Sequence, residues 1–454
     1  MSPVEDRAAY LLERAWVDGA VRDDVLVEVA DGRFVAVVPG APASPERDRA
    51  TRLAGLVLPG LANCHSHAFH RALRGRTQRE RGTFWTWRDQ MYGLAAGLDP
   101  DTYFALARAT YREMAAAGVT AVGEFHYLHH GPGGTPYADA NAMGHALVAA
   151  AREAGIRVAL LDTCYLSSGF GEPTEGVQRR YDDGDAHAWA GRAAALAAGV
   201  DDPGVVVGAA LHSVRAVPAE QMPVVAEWAG AEAGRRPLHV HLSEQVAENE
   251  ACVAEYARTP TEVLADHGVL GPLTSAVHAT HLTDDDVALL GRSRTYADLC
   301  PTTERDLGDG IGPSRRLHDA GSRLTLGSDS HAVVDLFEEM RAVELDERLA
   351  TQQRGHWTAA ELLAAATRDG HASLGFADAG RIAVGDRADL VVVDTRSPRT
   401  AGTGADEHTA VFAAVAEDVV AVMADGRWVV RQGDREEIGR ELDAAISRSW
   451  EGQA

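Results

Sequence analysis

The sequence predicts an α/β protein: a (β/α)8 barrel of the TIM type with a small β-sandwich domain built from both chain ends. Eight short apolar runs alternate with longer helical patterns between residues 57 and 329, which is the order of a parallel barrel. Asp31-Gly32 and Asp425-Gly426 each lie between two β-rich runs, and such pairs are strong hairpin signals. A doubly wound sheet remains possible but fits eight strands less well.

The predicted barrel covers residues 57–379, and the small domain takes residues 1–56 and 380–454. The predicted barrel strands are 57–64, 119–125, 156–162, 205–211, 237–242, 275–280, 294–300 and 323–329. A helical pattern over 99–118 separates the first two strands, and an amphipathic pattern predicts a last helix over 434–450.

Three segments are predicted to be irregular or inserted. Residues 65–98 are too long for an ordinary βα loop and contain Trp85 and Trp87, so we expect a structured insertion over the barrel mouth. Residues 131–137 are rich in glycine and proline, which predicts a mobile loop at the active site. Residues 396–408 are polar and predict a solvent-exposed loop.

Composition excludes several classes of function. The formal net charge is −24, which argues against nucleic acid or an anionic membrane as a partner. All 43 basic residues are arginine, so a Schiff-base lysine, a phosphate-loop lysine and a carboxylated lysine bridging two metals are excluded.

Cysteine usage and the N-terminus predict a cytoplasmic enzyme. The chain contains 4 cysteines without a Cys-x-x-Cys pair, so we expect reduced, buried thiols rather than disulfides or a cysteine-rich zinc site. The first residues carry acids and lack a continuous apolar run, unlike a secretory signal.

The ends of the predicted strands carry the chemistry. His65 and His67 follow the first strand, His241 lies in the fifth, His278 in the sixth, and Asp329 ends the eighth. Because the carboxyl ends of barrel strands converge, these side chains should meet at one site. Three histidines and a carboxylate suit a borderline divalent metal such as Zn²⁺, although Fe²⁺ or Mn²⁺ remain open. His239 and His281 are the neighbouring histidines expected to serve other purposes.

The motifs at these strands resemble those of the amidohydrolase superfamily. The matching segments are LPGLANCHSHAFH, LHVHLSE, VHATHL, TLGSDSH and GRIAVGDRADLVVVD. The resemblance implies one divalent metal per chain, held by His65, His67, His241 and Asp329. It also implies that Glu244, three residues after the fifth-strand ligand, shuttles protons.

Three further segments are similar to formimidoylglutamate deiminases, enzymes of histidine degradation: FWTWRDQMY, GEFHYLHH and LHSVRAV. That family hydrolyses N-formimidoyl-L-glutamate to N-formyl-L-glutamate and ammonia. The resemblance implies that Arg88, Tyr127, His212 and Arg215 bind the two carboxylates of the substrate, and it implies a homodimer. The family usually has glutamine where this chain has His70, in a position that helps to hold the glutamate part of the substrate.

The residue types agree with that reaction. Arginine forms bidentate pairs with carboxylates, and Arg88 and Arg215 are expected in loops at the barrel mouth. A metal can lower the pKa of its water, Asp329 can take the proton, and the hydroxide can attack the formimidoyl carbon. His278 would orient the water, and Glu244 would pass a proton to the departing nitrogen.

Two other readings remain. One is another deaminase or iminohydrolase of the same superfamily, acting on a related carboxylated amidine or an aromatic base. Arg88, Tyr127 and Arg215 favour a dicarboxylate substrate over an aromatic base. The other is a metal-binding barrel without catalysis, which the presence of both Glu244 and Asp329 argues against.

Overall fold

A computed structural model describes residues 7–79, 81–231 and 236–451, and the parts of the predicted small domain beyond these ranges lie outside the described residues. The strands are β1 Ala8–Val17, β2 Ala20–Ala30, β3 Arg33–Val38, β4 Thr51–Leu58, β5 Leu61–Ser66, β6 Val119–His126, β7 Arg157–Cys164, β8 Val205–Leu211, β9 Leu238–Leu242, β10 Thr274–His278, β11 Tyr296–Leu299, β12 Leu324–Leu326, β13 Leu390–Val393, β14 Val419–Ala424 and β15 Arg427–Arg431. The α-helices are α1 Pro45–Arg49, α2 Phe84–Gly97, α3 Pro100–Ala116, α4 Ala142–Ala154, α5 Ala186–Gly199, α6 Met222–Gly230, α7 Val246–Tyr256, α8 Pro260–Asp266, α9 Asp284–Ser293, α10 Pro301–Leu307, α11 Ser314–Ala320, α12 Leu336–Thr351, α13 Ala359–Ala364, α14 Gly370–Ser373, α15 Glu407–Phe412 and α16 Arg435–Ser449.

Strands β5 to β12 form the predicted parallel barrel. They are hydrogen-bonded in chain order as an 8-stranded sheet, and each neighbouring pair is parallel. Helices such as α3, α4 and α6 pack outside against β6, β7 and β8. Strands β6 and β7 are buried along their whole length, as expected for parallel strands covered on both faces.

The first predicted strand was too long, because residues 57–64 contain parts of two strands. Strand β4 ends at Leu58 in the small sheet, and β5 begins at Leu61 in the barrel. Pro59 has no amide hydrogen to continue a ladder. Gly60 packs against Thr120 so closely that a Cβ would lie 2.1 Å from its Oγ1.

The barrel closes between its first and last strands. The amide of Asp329 donates to the carbonyl of His65 over 2.9 Å, and the Ser328 amide donates to the same carbonyl over 3.1 Å. Gly327 permits this approach, since a Cβ there would lie 2.6 Å from Cβ of His65. The seam of the barrel therefore joins the two strand ends that carry predicted metal ligands.

The two chain ends build the second sheet. Its 7 strands are ordered β15-β14-β13-β4-β1-β2-β3, with β1 and β4 parallel and the other pairs antiparallel. Both Asp-Gly pairs form the predicted hairpins, and all four residues have positive φ, from 46° to 75°. Two-residue turns of this kind match the twist of the flanking strands.

The structure contains the predicted insertion, the predicted last helix and the predicted exposed loop. Residues 68–73 form a 3-10 helix and α2 follows at the barrel mouth, so the insertion is structured as expected. The last helix, α16, and the exposed loop over 396–408 are also present. All four cysteines are buried and free. Within the described ranges, no helix is both long and apolar enough to cross a membrane.

A buried ion pair connects the barrel to the small sheet. Arg157, at the start of β7, donates from Nη1 to Asp389 over 3.1 Å and to Asp425 over 3.0 Å. The side chains of Arg157 and Asp389 are only 2% and 1% exposed. Burial alone would raise the pKa of Asp389, but the Arg157 charge outweighs it and the pKa is lowered.

Arg157→Met should lower the free energy of unfolding by about 3–5 kcal/mol, because Asp389 would stay buried without its cation. The double variant Arg157→Met/Asp389→Asn should recover part of that loss. Arg152→Met, at a pair with Asp202 whose arginine is 62% exposed, is the control and should cost about 1 kcal/mol or less. Urea titration at pH 7 measures all four proteins, and equal losses at Arg157 and Arg152 would contradict the assignment.

Candidate active site

Four side chains converge at the carboxyl end of the barrel, as the sequence predicts. His65 and His67 lie two residues apart at the end of β5, so both face the barrel axis. Their Nε2 atoms lie 3.2 and 3.3 Å from Oδ1 of Asp329. Nε2 of His241 lies 3.1 Å from Nε2 of His65. One donor atom from each of the four residues lies within 4.8 Å of every other.

Backbone carbonyls fix the tautomers of two of these histidines. Nδ1 of His67 donates to the Phe125 carbonyl over 3.0 Å, and Nδ1 of His241 donates to the His212 carbonyl over 2.9 Å. Since a carbonyl can only accept, each Nε2 keeps its lone pair for a metal. Three imidazole nitrogens and one carboxylate oxygen fit a borderline divalent ion.

Asp329 is held as a carboxylate. Its burial alone would raise the pKa, but the neighbouring imidazoles of His65, His67 and His278 outweigh burial and keep the pKa well below its ordinary value. Its φ of 38° places it in the left-handed region just after β12, where a non-glycine residue is uncommon. The turn aims the carboxylate into the site.

His278 and Glu244 lie beside this cluster. Nε2 of His278 is 4.0 Å from Oδ2 of Asp329, and its Nδ1 is 3.4 Å from Oε1 of Glu304. Burial would lower the pKa of His278, but the carboxylates of Glu244, Glu304 and Asp329 raise it well above its ordinary value. Burial raises the pKa of Glu244, so this group can hold a proton nearer neutral pH than an exposed glutamate.

A cavity opens above the cluster, and all five predicted substrate-binding residues line it. Its lining consists of His67, His70, Trp87, Arg88, Met91, Tyr92, Tyr127, Tyr165, Tyr181, His212, Ser213, Arg215, His241, Glu244, Glu248, His278, Leu307 and Asp329. Residues 131–137 are described but do not line this cavity, so the prediction of an active-site loop there was wrong. They pack beside Arg180 instead, where Gly134 would clash with the Arg179 carbonyl if it carried a Cβ.

Arg88 reaches the cavity from a helix rather than from a loop. It lies in the first turns of α2, and its guanidinium carbon is 4.4 Å from the ring centroid of Trp85 and 5.5 Å from that of Tyr92. Tyr92 follows four residues later on the same helical face. The two rings hold the guanidinium at the cavity wall by cation–π contact.

Arg215 is a partly buried cation between an acid and a tyrosine. Its Nε lies 3.6 Å from Oε2 of Glu248, and Nη1 donates to the Ser168 carbonyl over 3.4 Å. Burial would lower the pKa of Arg215, but Glu248 and Tyr165 outweigh it and raise the pKa. Glu248 and the Ser168 carbonyl thus hold one side of the guanidinium, and its other side can face an anion in the cavity.

Tyr127, His70 and His212 complete the predicted set. Oη of Tyr127 lies 3.0 Å from Nε2 of His70, and the ring of His212 lies 5.5 Å from that of Tyr127 and 4.6 Å from that of Tyr165. Burial lowers the pKa of both histidines well below the ordinary value. They are therefore neutral hydrogen-bonding groups in this wall.

A buried hydrogen-bond network supports the two turns that carry predicted metal ligands, and the sequence analysis did not predict this network. Glu124 accepts from Ser66 Oγ and from the Ala68 amide, each over 2.7 Å. Ser66 Oγ lies 3.1 Å from Nε2 of His331, whose Nδ1 lies 3.1 Å from Ser328 Oγ. Burial raises the pKa of Glu124 to about 7. This network holds the turn after β5 against the turn after β12.

Other residues of the cavity were also absent from the sequence prediction. Tyr92 could have been found, because it shares a helical face with Arg88. Glu248 follows Glu244 by four residues, but its role depends on where α7 begins. Tyr165 and Tyr181 come from separate connecting segments, and no sequence spacing relates them to the site.

Comparisons with known proteins agree with this architecture. The model of the amidohydrolase family matches residues 56–429. A formimidoylglutamate deiminase of Pseudomonas aeruginosa is 38% identical over 440 residues, which are 94% of this chain and 95% of that protein. A 5-methylthioadenosine/S-adenosylhomocysteine deaminase of Halobacterium salinarum is 32% identical, covering 91% of this chain and 89% of that protein. A crystal structure of an amidohydrolase from Brucella melitensis superposes with a TM-score of 0.88 at 31% identity, covering 97% and 99% of the two chains.

The barrel, its strand-end ligands and these relatives define a hydrolase that cleaves a C–N bond of an amidine. The chain belongs to the amidohydrolase family.

Adding Zn²⁺ to chelator-treated protein should raise its Tm, because an ion held by this cluster binds the folded state only. At 100 times Kd the expected stabilisation is about 2.7 kcal/mol. His241→Ala removes one ligand and should lose most of the shift. His281→Ala is the matched control, since His281 lies outside the cluster, and equal shifts in the two variants would contradict the site. Differential scanning calorimetry gives the measurement.

Proposed function

We propose that this protein hydrolyses N-formimidoyl-L-glutamate to N-formyl-L-glutamate and ammonia with the help of one divalent ion, most simply Zn²⁺. The observation that carries the proposal is the cavity itself, in which two arginines face a histidine–aspartate cluster and an adjacent glutamate. The relative named a formimidoylglutamate deiminase, similar over nearly the whole of both chains, supports the same substrate. An acidic chain with four buried free cysteines suits the cytoplasm, and the homodimer stays a prediction.

Arg88 and Arg215 are proposed to bind the two carboxylates of the substrate. Each presents a planar guanidinium in a wall of aromatic rings, where an ion pair with a carboxylate is stronger than in water. Tyr127, His70 and His212 would add neutral hydrogen bonds along the same wall. Fixing both carboxylates would place the formimidoyl carbon beside the cluster, which lowers the entropic part of the barrier.

The residues around the reacting carbon divide the proton transfers. If His65, His67, His241 and Asp329 hold a divalent ion, the ion would supply water that is acidic enough to attack near neutral pH. Asp329 would take one proton from the attacking water, and His278 would donate a hydrogen bond to the oxygen that adds. Glu244, ionised while it pairs with the cationic amidine, would collect the proton of the added hydroxyl and give it to the terminal nitrogen. The bond from carbon to that nitrogen would then break, the carbon would keep the water oxygen as a formyl group, and Asp329 would release its proton to the departing ammonia.

A related substrate is the second candidate, and His70 is the observation that favours considering it. Its ring stands between Tyr127 and Trp87, where the family usually has glutamine. An imidazole is shorter and more rigid than a glutamine amide, so the wall accepts a slightly different carboxylate position. Another N-formimidoyl amino diacid would fit the same two arginines.

The zinc-loaded protein should release ammonia from N-formimidoyl-L-glutamate and not from N-formimidoylglycine or free nucleobases. Arg88→Met and Arg215→Met should each lower kcat/KM about 10- to 100-fold, because each removes a charged hydrogen bond worth about 1.5–3 kcal/mol. Arg305→Met is the control, since Arg305 pairs with Glu338 outside the cavity. A coupled ammonia assay gives the rates. Activity on a nucleobase alone would discard the substrate, and zinc binding without any turnover would favour a non-catalytic barrel.

Glu244→Gln should keep zinc and substrate binding but lose at least about 100-fold in kcat, the usual contribution of a general acid–base group. The amide keeps the size of the side chain and one acceptor oxygen, but it cannot transfer a proton. Adding Gln245→Glu to the Glu244→Gln variant places a carboxyl one position away, and this double variant should not regain the rate. Turnover near that of the unaltered protein would remove Glu244 from the proposed role. Stopped-flow rates and equilibrium substrate binding separate the two effects.

A further inference from the structure

A second polar cluster lies inside the barrel, where packing is normally apolar. His65, His239 and Asp298 each contribute one donor atom within 4.8 Å of the others, and all three residues are 0% exposed. They come from β5, β9 and β11, the first, fifth and seventh barrel strands. Alternate strands supply each interior layer of such a barrel, and branched apolar side chains usually fill it.

His65 differs from the other histidines of the metal cluster in its outer nitrogen. Nδ1 of His67 and of His241 each donates to a backbone carbonyl, and Nδ1 of His278 lies 3.4 Å from Glu304. Nδ1 of His65 is buried without a hydrogen-bond partner among the described residues. A metal-ligating histidine ordinarily donates this hydrogen to a carboxylate, a carbonyl or water.

The unpaired atoms of the second cluster match one another in number and kind. In the described part of the chain, both ring nitrogens of His239 and Oδ2 of Asp298 also lack partners. Oδ1 of Asp298 already accepts from Thr325 Oγ1 over 3.0 Å. With Nε2 of His65 turned to the metal cluster, Nδ1 must carry the hydrogen. A neutral His239 offers one acceptor and one donor, and Oδ2 of Asp298 offers an acceptor.

We propose that His239 and Asp298 are positioning residues for the metal centre, linked to His65 by a chain of two hydrogen bonds. In this structure the donor atoms of the three residues lie within 4.8 Å of one another, but these four atoms do not complete a hydrogen bond. The inferred bonds form when an ion draws Nε2 of His65 into place: Nδ1 of His65 then donates to one nitrogen of His239, and the other nitrogen of His239 donates to Oδ2 of Asp298. The chain fixes the tautomer and the ring plane of His65, so that Nε2 presents its lone pair to the ion. In the loaded protein it also pairs four buried polar atoms, each of which costs stability while it is unpaired.

This arrangement holds His65 at the barrel seam from the interior of the barrel. His65 has its carbonyl tied to Ser328 and Asp329, and its ring is now tied to two more strands. The inference rests on metal binding by the proposed centre and not on the identity of the substrate. Its experiment therefore reads metal affinity and geometry, which remain measurable if N-formimidoyl-L-glutamate is not a substrate.

His239→Phe is the principal variant, because phenylalanine keeps a ring of similar size in the layer but has no nitrogen. Zinc binding, measured by competition with a chromophoric chelator, should weaken about 10- to 100-fold, the range found for outer partners of metal ligands. The apoprotein should keep its Tm, because the hydrogen-bonded chain forms only when the ion is bound and the buried polar ring is replaced by an apolar one. A purely structural role for His239 predicts the reverse, a lower Tm and unchanged zinc affinity.

Asp298→Asn is the second variant, and it removes the charge with little change in shape. It should weaken zinc binding in the same direction and shift the visible absorption of the Co²⁺-substituted protein. His126→Phe is the matched control: His126 is 1% exposed and ends β6, outside both clusters. It should leave zinc affinity and the Co²⁺ spectrum unchanged.

The outcomes separate this inference from the proposed function. Zinc affinity and Co²⁺ spectra in both variants within twofold of the unaltered protein would overturn the hydrogen-bonded chain while leaving the metal centre in place. Two metal ions per unaltered chain, falling to one in His239→Phe, would overturn it in favour of a second metal site. No zinc binding by the unaltered protein would overturn the metal centre and the inference together.

Discussion

The closure of the barrel is the interaction on which the site depends. Strands β5 and β12 meet through amides of Ser328 and Asp329 that donate to the carbonyl of His65, so two predicted ligands are joined by backbone before any ion binds. The buried network of Glu124, Ser66 and His331 also holds the turn after β5 against the turn after β12. Ligand spacing is therefore set by the hydrogen bonding that completes the fold, and a change in barrel closure would move His65 and Asp329 relative to each other.

The charges around the site are arranged so that each buried ion has a defined neighbour. Asp329 stays ionised against burial because the imidazoles of His65, His67 and His278 surround it, while burial raises the pKa of Glu124 to about 7. Glu248 lies beside Arg215 and partly offsets its charge. The cavity wall thus does not hold an uncompensated guanidinium in an apolar surrounding, and this partial balance suits the proposed binding and release of an anionic substrate.

The parts that could be predicted from the sequence are those with local or periodic signals. The buried strands have continuous apolar runs, the Asp-Gly hairpins need positive φ, and strand-end histidines converge once a barrel is assumed. Residues 57–64 were assigned to one strand because only Pro59-Gly60 separates two consecutive apolar strands. Arg88 was placed in a loop because the tryptophans around it obscure a helical pattern. Tyr165, Tyr181 and the chain from His239 to Asp298 depend on contacts between distant strands, which no spacing along the chain records.

Arg88 and Arg215 lie on α2 and on the segment after β8, whereas His65, His241 and Asp329 lie at strand ends that the barrel itself holds. The residues proposed to bind the substrate and those proposed to perform the reaction thus lie on separate structural elements. A lineage could exchange the helix and the connecting segment, and so acquire a new specificity, while the reaction centre is inherited intact. Such separation gives a simple route by which one scaffold diversifies, since mutations that explore new substrates do not first destroy the chemistry.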